Sequence, residues 1–420
     1  GKPITIPRSS IPPEAQLEPE PPAGVNLVLT IDLDLQVIVE SILEAAIEES
    51  EAESGQVVVM HPGSGELLAL AIWPPLDPNN YEPWLPAEER LNWDWLLGGF
   101  NPAEAPTHAE STDEQEEEEA VIDPAVAGVY EPGSTFKVLT MAAALDAGVV
   151  TLDDEYIDTG LIEVGGHPIR NWDGGAWGPR SMRECMQHSL NVCLAYVASE
   201  KLGASLFYDY LKAFGIGKLT GVDLEGEVPG QLRTPRHPDW TESDLGTNSF
   251  GQGVSVTPIQ LLAAVSAIAN EGSMVQPHIV RAVVGPDGEY WPKTTILGRP
   301  ISPETAQTLT AMLSETLDGE TNFADVAGYD LAGKTGTAQI PTERGYDPNH
   351  TIASFVGWGP LDDPQFVVLV RIDKPRTSPW GSVVAAPVFR EVVRRLVVLL
   401  EIPPDAIRAE IAAGDVAPSD

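Results

Sequence analysis

The sequence predicts an α+β fold, and three observations carry that prediction. A hairpin pattern stands early in the chain, where residues 56–61 (QVVVMH) and 66–72 (ELLALAI) flank the turn Pro62-Gly63-Ser64-Gly65. Three further strand-like runs, 329–340, 352–358 and 365–373, follow late in the chain with short connections, which makes them antiparallel. Between them lie two helical segments that are apolar almost all round, and a helix without a polar face belongs inside a large domain. At 420 residues, 43% of them hydrophobic, the chain is long enough for one large domain with smaller appendages.

Taken in order, residues 1–25 form an extended Pro-rich lead, read as the remnant of an N-terminal non-catalytic region. Residues 25–31 are strand-like, and Asp32 caps a helix over 35–49 with Leu35, Ile38, Val39, Ile42 and Leu43 at helical spacing. The hairpin runs are so apolar that both faces of their sheet should be covered. The stretch 84–122 reads as an acidic loop insertion, with STDEQEEEE at 111–119 solvated by composition. Ser134 starts the first buried helix, whose body is VLTMAAAL at 138–145, and Gly148 stops it. Ser181 caps a helix toward His188, a second helix covers 192–202, and Ser189-Leu190-Asn191 sits at the corner between them. A further helix spans 206–214. The second buried helix has Thr257 as cap, Pro258 at its first position and Gly272 beyond its end. Residues 302–317 form an amphipathic surface helix. A terminal helix aligns Phe389, Val392, Val393, Leu396, Val397 and Leu400 on one stripe and stops before Pro403. The acidic tail 401–420 is expected to fray.

Composition excludes several classes. Lys and Arg number 24 against 63 Asp and Glu, a formal charge of −39. Nucleic acid is therefore not expected as a partner, and neither is electrostatic docking on anionic lipid. The seven histidines are scattered without metal-ligand spacing, so no metal and no cofactor is expected. No apolar run reaches the roughly 18 residues a bilayer span needs. If the residues between Cys185 and Cys193 are helical, these cysteines lie about 12 Å apart along the axis. That is too far for a disulfide, so both are expected as small buried apolar residues.

Three short motifs carry chemistry. Ser134 and Lys137 stand three residues apart on one helix face. A buried lysine tends to lose its proton, and a neutral Lys137 could make Ser134 a nucleophile. The plain alternative is a helix cap with a lysine that reaches to water; composition predicts roughly one chance S-x-x-K in such a chain. Ser189-x-Asn191 alone means little. Lys334-Thr335-Gly336 lies in a strand, where a glycine marks close approach of a ligand or another backbone. With Lys334 and the hydroxyls of Thr335 and Thr337, that strand resembles a carboxylate-binding edge, as against an edge strand merely blunted by lysine.

Together, S-x-x-K, S-x-N (here SLN) and K-T-G resemble the motif set of the penicillin-interacting serine transferases. LTIDLDLQ at 29–36, DPNNY at 77–81, YEPGSTFK at 130–137, the run NSFGQGVSVTPIQLLAAVSAIANEG, GKTGTAQ and TIASFVGWGP extend the likeness. They look like the transpeptidase domain of class B penicillin-binding proteins, over about residues 26–400. The resemblance implies a five-stranded antiparallel sheet flanked by helices, beside an all-helical lobe. It implies a peptidoglycan D,D-transpeptidase that cross-links stem peptides through a Ser134 acyl-enzyme, releases D-Ala, and is acylated by β-lactams. Lys137 would be the base, Ser189 a proton relay, and Asn191 a holder of Lys137 and of the substrate amide. Lys334 would attract the substrate carboxylate, which Thr335, Gly336 and Thr337 would bind, and the N–H groups of Ser134 and Thr337 would form the oxyanion hole. The implied setting is the outer face of the cytoplasmic membrane, with a SEDS-type glycan polymerase as partner. The rivals are a D,D-carboxypeptidase or β-lactamase-type hydrolase and a penicillin-sensing module. The closest sequence to the extra glutamate motif of class A β-lactamases, ESDLG at 242–246, ends in Gly.

Overall fold

A computed structural model describes residues 24–75, 123–286, 288–317, 322–342 and 345–414. The acidic tract at 111–119, the segment 77–81 and nearly all of the Pro-rich lead lie outside them. Strand β1 (Asn26–Leu29) is followed by helix α1 (Leu33–Ser50), where the Leu35 N–H donates to Asp32 Oδ1 at 2.9 Å. The hairpin is β2 (Ser54–Met60) and β3 (Leu67–Trp73), and helix α2 (Pro124–Ala127) follows.

A 3-10 turn over Gly133–Phe136 then leads into helix α3 (Lys137–Asp146). Ser134 was expected to cap this helix. It lies instead inside the 3-10 turn, which has no side-chain cap. Small strands follow, with β4 (Glu155–Asp158) pairing β7 (Gly178–Ser181) around the hairpin of β5 (Leu161–Val164) and β6 (His167–Arg170). Helix α4 (Met182–Gln187) opens with a capping box between Ser181 and Glu184. Helices α5 (Asn191–Tyr196), α6 (Gly203–Ala213), α7 (Glu242–Asn248) and α8 (Pro258–Ala269) build the helical lobe, with the π-helical stretch Val197–Leu202 joining α5 to α6. Every side chain of α8 is buried, and its N–H at Gln260 donates to the Thr257 hydroxyl.

After the short strands β8 (Met274–Val275), β9 (Val280–Gly285), β10 (Gly288–Tyr290) and β11 (Ile296–Gly298) comes α9 (Pro303–Glu315). The late strands are β12 (Ala332–Thr342), β13 (Gly345–Gly359) and β14 (Phe366–Asp373). Helices α10 (Gly381–Val384), α11 (Ala386–Leu399) and α12 (Asp405–Ala413) close the chain.

The central sheet has the order β12-β13-β14-β2-β3 and is antiparallel throughout. Its apolar runs are continuous because each face meets a different core. Val57, Val59, Val368 and Val370 pack with Leu35 and Leu43 of α1 and with Phe389 and Val392 of α11. Their neighbours Val58, Met60, Val367 and Leu369 point the other way, into the core of α3 and α8.

Two further expectations are overturned. Cys185 and Cys193 form a disulfide, with their Cα atoms 6.1 Å apart. The intervening residues are not one helix: Ser189 adopts φ 53° between α4 and α5, so the chain doubles back and brings the two sulfurs together. The tail does not fray throughout. Residues 405–413 are helical, and Arg408 joins the carboxylates of Asp362 and Asp405.

Candidate active site

The Ser134 turn is narrow, and Thr135 tightens it by donating its hydroxyl to Pro132 O at 2.8 Å. With three residues per turn, positions three apart eclipse, so Ser134 and Lys137 lie on one side. Lys137 has no exposed surface. Its Nζ donates to Ser189 O at 2.6 Å, to Asn191 Oδ1 at 2.7 Å and to Ser189 Oγ at 3.1 Å. None of these contacts is to the Ser134 hydroxyl.

Ser189 and Asn191 come from the bend between α4 and α5. The left-handed backbone at Ser189 leaves both its carbonyl and its hydroxyl to Lys137. Asn191 opens α5 and donates Nδ2–H to Arg170 O at 3.1 Å, which turns its Oδ1 toward the lysine. From β12, Lys334 Nζ donates to the same Ser189 Oγ at 3.0 Å and to Thr335 O at 3.3 Å. One hydroxyl thus receives two amines, one from α3 and one from β12.

Burial decides the electrostatics. Desolvation holds the Lys137 ammonium well below its ordinary pKa, and the neighbouring Lys334 charge lowers it further. Desolvation also pushes Lys334 down, to about 8. Burial and the second lysine thus both favour the uncharged form of Lys137.

A cleft of about 370 Å³ opens over this network, and Ser134, Ser189, Asn191, Lys334, Thr335 and Thr337 all line it. Thr337 also accepts the Gly381 N–H at 3.1 Å, which ties β12 to α10. Gly336 is not among the lining residues. A Cβ there would meet Ser354 Oγ at 2.3 Å, Thr135 Cγ2 at 3.0 Å and Pro132 O at 3.2 Å. The close approach expected at this glycine is made by the Ser134 turn itself. No carboxylate lines the cleft among the described residues. Asp244, in the 242–246 segment, caps its own helix and pairs with Arg233.

Sequence reasoning missed Trp172 and Trp380, which line the cleft from its two lobes and meet edge to face with centroids 5.5 Å apart. Both are about half exposed, and the signal available was an indole in a polar loop, where no core requires it.

Residues 55–394 match the family described as the penicillin binding protein transpeptidase domain. Stage V sporulation protein D of Bacillus subtilis is 35% identical over 393 residues, covering 91% of this chain and 55% of that protein. Penicillin-binding protein PbpB of Mycolicibacterium smegmatis is 32% identical over 384 residues, covering 88% of this chain and 54% of that protein. The chain thus spans about half the length of these two curated relatives. The crystal structure of penicillin-binding protein 3 from Mycobacterium tuberculosis, complexed with aztreonam, superposes with a TM-score of 0.76 at 29% identity, over 91% of this chain and 80% of that one. The transpeptidase (TP) domain of Burkholderia pseudomallei penicillin-binding protein 3 gives 0.70 at 27% identity, over 90% of this chain and 97% of that one. A family match over most of the length, joined to the same fold, means that the chain belongs to the penicillin-binding-protein transpeptidase family.

Proposed function

We propose that this chain carries the transpeptidase domain, residues 26–400, of a peptidoglycan D,D-transpeptidase. The observation that supports it most directly is the shared hydroxyl of Ser189, held between a buried Lys137 and Lys334 beside the Ser134 turn. Residues 26–54 are included because α1 packs on the sheet of the matched region. The Pro-rich lead 1–25, the acidic insertion 84–122 and the tail 401–420 are assigned as appendages.

In this reading, a neutral Lys137 keeps two N–H bonds to the pure acceptors Ser189 O and Asn191 Oδ1. Its lone pair then takes the Ser134 proton as Oγ attacks the penultimate D-Ala carbonyl of a stem peptide. Catalytic hydrogen bonds often close only in the substrate complex, so the absent Ser134–Lys137 contact is compatible with this role. The backbone N–H groups of Ser134 and Thr337 receive the developing oxyanion. The C–N bond to terminal D-Ala breaks as an ester to Ser134 forms, and the proton reaches the leaving amine through Ser189 Oγ. Lys334, with Thr335 and Thr337, holds the substrate carboxylate, and Gly336 makes room behind them. A second stem-peptide amine attacks the ester, frees Ser134 and completes the cross-link. β-Lactams acylate the same oxygen. Among the described residues no carboxylate lines the cleft to activate water, which disfavours a β-lactamase that deacylates through an extra glutamate, and retention of serine and lysine disfavours a catalytically dead scaffold. The setting is the outer face of the cytoplasmic membrane beside a SEDS-type glycan polymerase; among the described residues no helix is long and apolar enough to cross a membrane.

Labelled penicillin followed by proteolysis and mass spectrometry tests this. The adduct is expected on the Ser134 peptide and to persist for many minutes. Ser134→Ala should fold with stability within about 0.5 kcal/mol of wild type and take no label. A label elsewhere, or turnover within seconds, overturns the reading.

A further inference from the structure

Asn171 is a buried amide, 4% exposed, in the turn after β6, and nothing in the chemistry above employs it. Its Nδ2 donates to both carboxylate oxygens of the buried Asp158, at 3.0 and 2.9 Å, and to Gly175 O at 3.1 Å. That carboxylate accepts only, so it dictates which end of the amide faces it. The Asn171 Oδ1 is left facing α5, where it accepts the Val192 N–H at 3.1 Å.

Val192 N–H is one of the first-turn donors of α5, which have no partner inside the helix. The residue that would ordinarily cap α5 is Leu190, whose side chain offers no acceptor. Asn171 supplies that acceptor from another part of the chain. Its neighbours grip the same segment: Arg170 O accepts from Asn191 Nδ2 at 3.1 Å, and Trp172 Nε1 donates to His188 O at 3.1 Å. Three consecutive residues, 170–172, therefore hold the segment that runs from His188 through Ser189 and Asn191 to Val192. This segment presents Ser189 O, Ser189 Oγ and Asn191 Oδ1 to Lys137.

On the reading of Lys137 and Asn191 given above, we propose that Asn171, oriented by Asp158, is a positioning residue that sets the Asn191 amide against the Lys137 amine. Asn171 touches none of the reacting groups and acts through the start of α5. Small displacements there are costly, because a misplacement of about 1 Å at a reacting centre costs about a hundredfold in rate.

The test is the second-order rate constant for Ser134 acylation by labelled penicillin, with melting temperature recorded alongside. Asn171→Ala is expected to slow acylation by about tenfold or more in the wild-type background. In the Asn191→Ala background the same change should cost less than about threefold, since the group it positions is already gone. Equal factors in both backgrounds, or a wild-type loss below about twofold, overturn the inference.

A second comparison holds even if Asn171→Ala folds poorly. Asn171→Asp sets two carboxylates face to face and should be slow. The exchange Asp158→Asn with Asn171→Asp restores one amide donating to one carboxylate and one acceptor for Val192 N–H, though Gly175 O loses its donor. It should regain part of the acylation rate. An exchange no faster than Asn171→Asp alone overturns the inference. Failure of the underlying reading looks different, because wild type itself would then take no label at Ser134.

Discussion

Lys137 is a long cation with no exposed surface, placed about one hydroxyl away from a second lysine. Such burial is costly unless the charge is lost, and among the described residues the amine meets acceptors but no carboxylate to hold the proton on it. The pH dependence follows. In the proposed mechanism acylation requires Lys137 neutral, so the rate rises as pH climbs through its depressed pKa. It requires Lys334 charged, so the rate falls as pH passes about 8. The second-order acylation constant, which reports the free enzyme, should be bell-shaped with its alkaline limb near that value. Lys334→Arg should move the alkaline limb upward, because a guanidinium keeps its proton. An alkaline limb unchanged by that substitution would assign it to another group.

At the scale of elements, the site depends on how closely three segments meet. Strand β12 is clasped from two sides. The Ser134 turn lies against Gly336, and the start of α10 lies over the same strand, where a Cβ on Gly381 would be 2.2 Å from Gly336 O and 2.5 Å from Ser354 O. Neither glycine is there for a left-handed backbone; each is there because no space remains. Gly336→Ala and Gly381→Ala should each destabilise by about 1–3 kcal/mol, the usual cost of overpacking, and should slow acylation by shifting the Ser134 turn or Thr337. Denaturant midpoints and acylation rates check this, and a variant with unchanged midpoint would show that the strand yields. The S-x-N bend is held by a different device, the disulfide between α4 and α5, together with the left-handed Ser189.

Across the whole molecule, a net charge of −39 surrounds two well-filled cores on either side of one sheet. Like charges at that density repel one another in the compact state, and salt screens them. Melting temperature should therefore rise between low ionic strength and about 0.5 M sodium chloride. A flat or falling curve would mean that ion pairs such as Arg183 with Glu315 and Asp153 contribute more than the general repulsion. Electrophoretic mobility shift with duplex DNA should show no binding at about 0.1 M salt.

Much of this was legible in the residues. Periodicity, caps and stops located α1, α8, α9 and α11 to within a few residues, because those signals are local. The chain alone offered a hydroxyl and an amine one turn apart at Ser134 and Lys137; it was the resemblance of the three motifs to a known family that added Ser189, Asn191 and Lys334 as catalytic candidates. What the sequence by itself determined was which groups were available and which segments would be helix or strand. Only the tertiary structure decided that Ser134 lies in a 3-10 turn, that Cys185 reaches Cys193, and that Trp172 meets Trp380. It alone decided that Lys137 turns to Ser189 and Asn191, and that Gly336 yields to the chain's own backbone. The physical reason is the same in each case: these features depend on contacts between segments tens to hundreds of residues apart, and a local pattern holds no information about which surfaces will be pressed together.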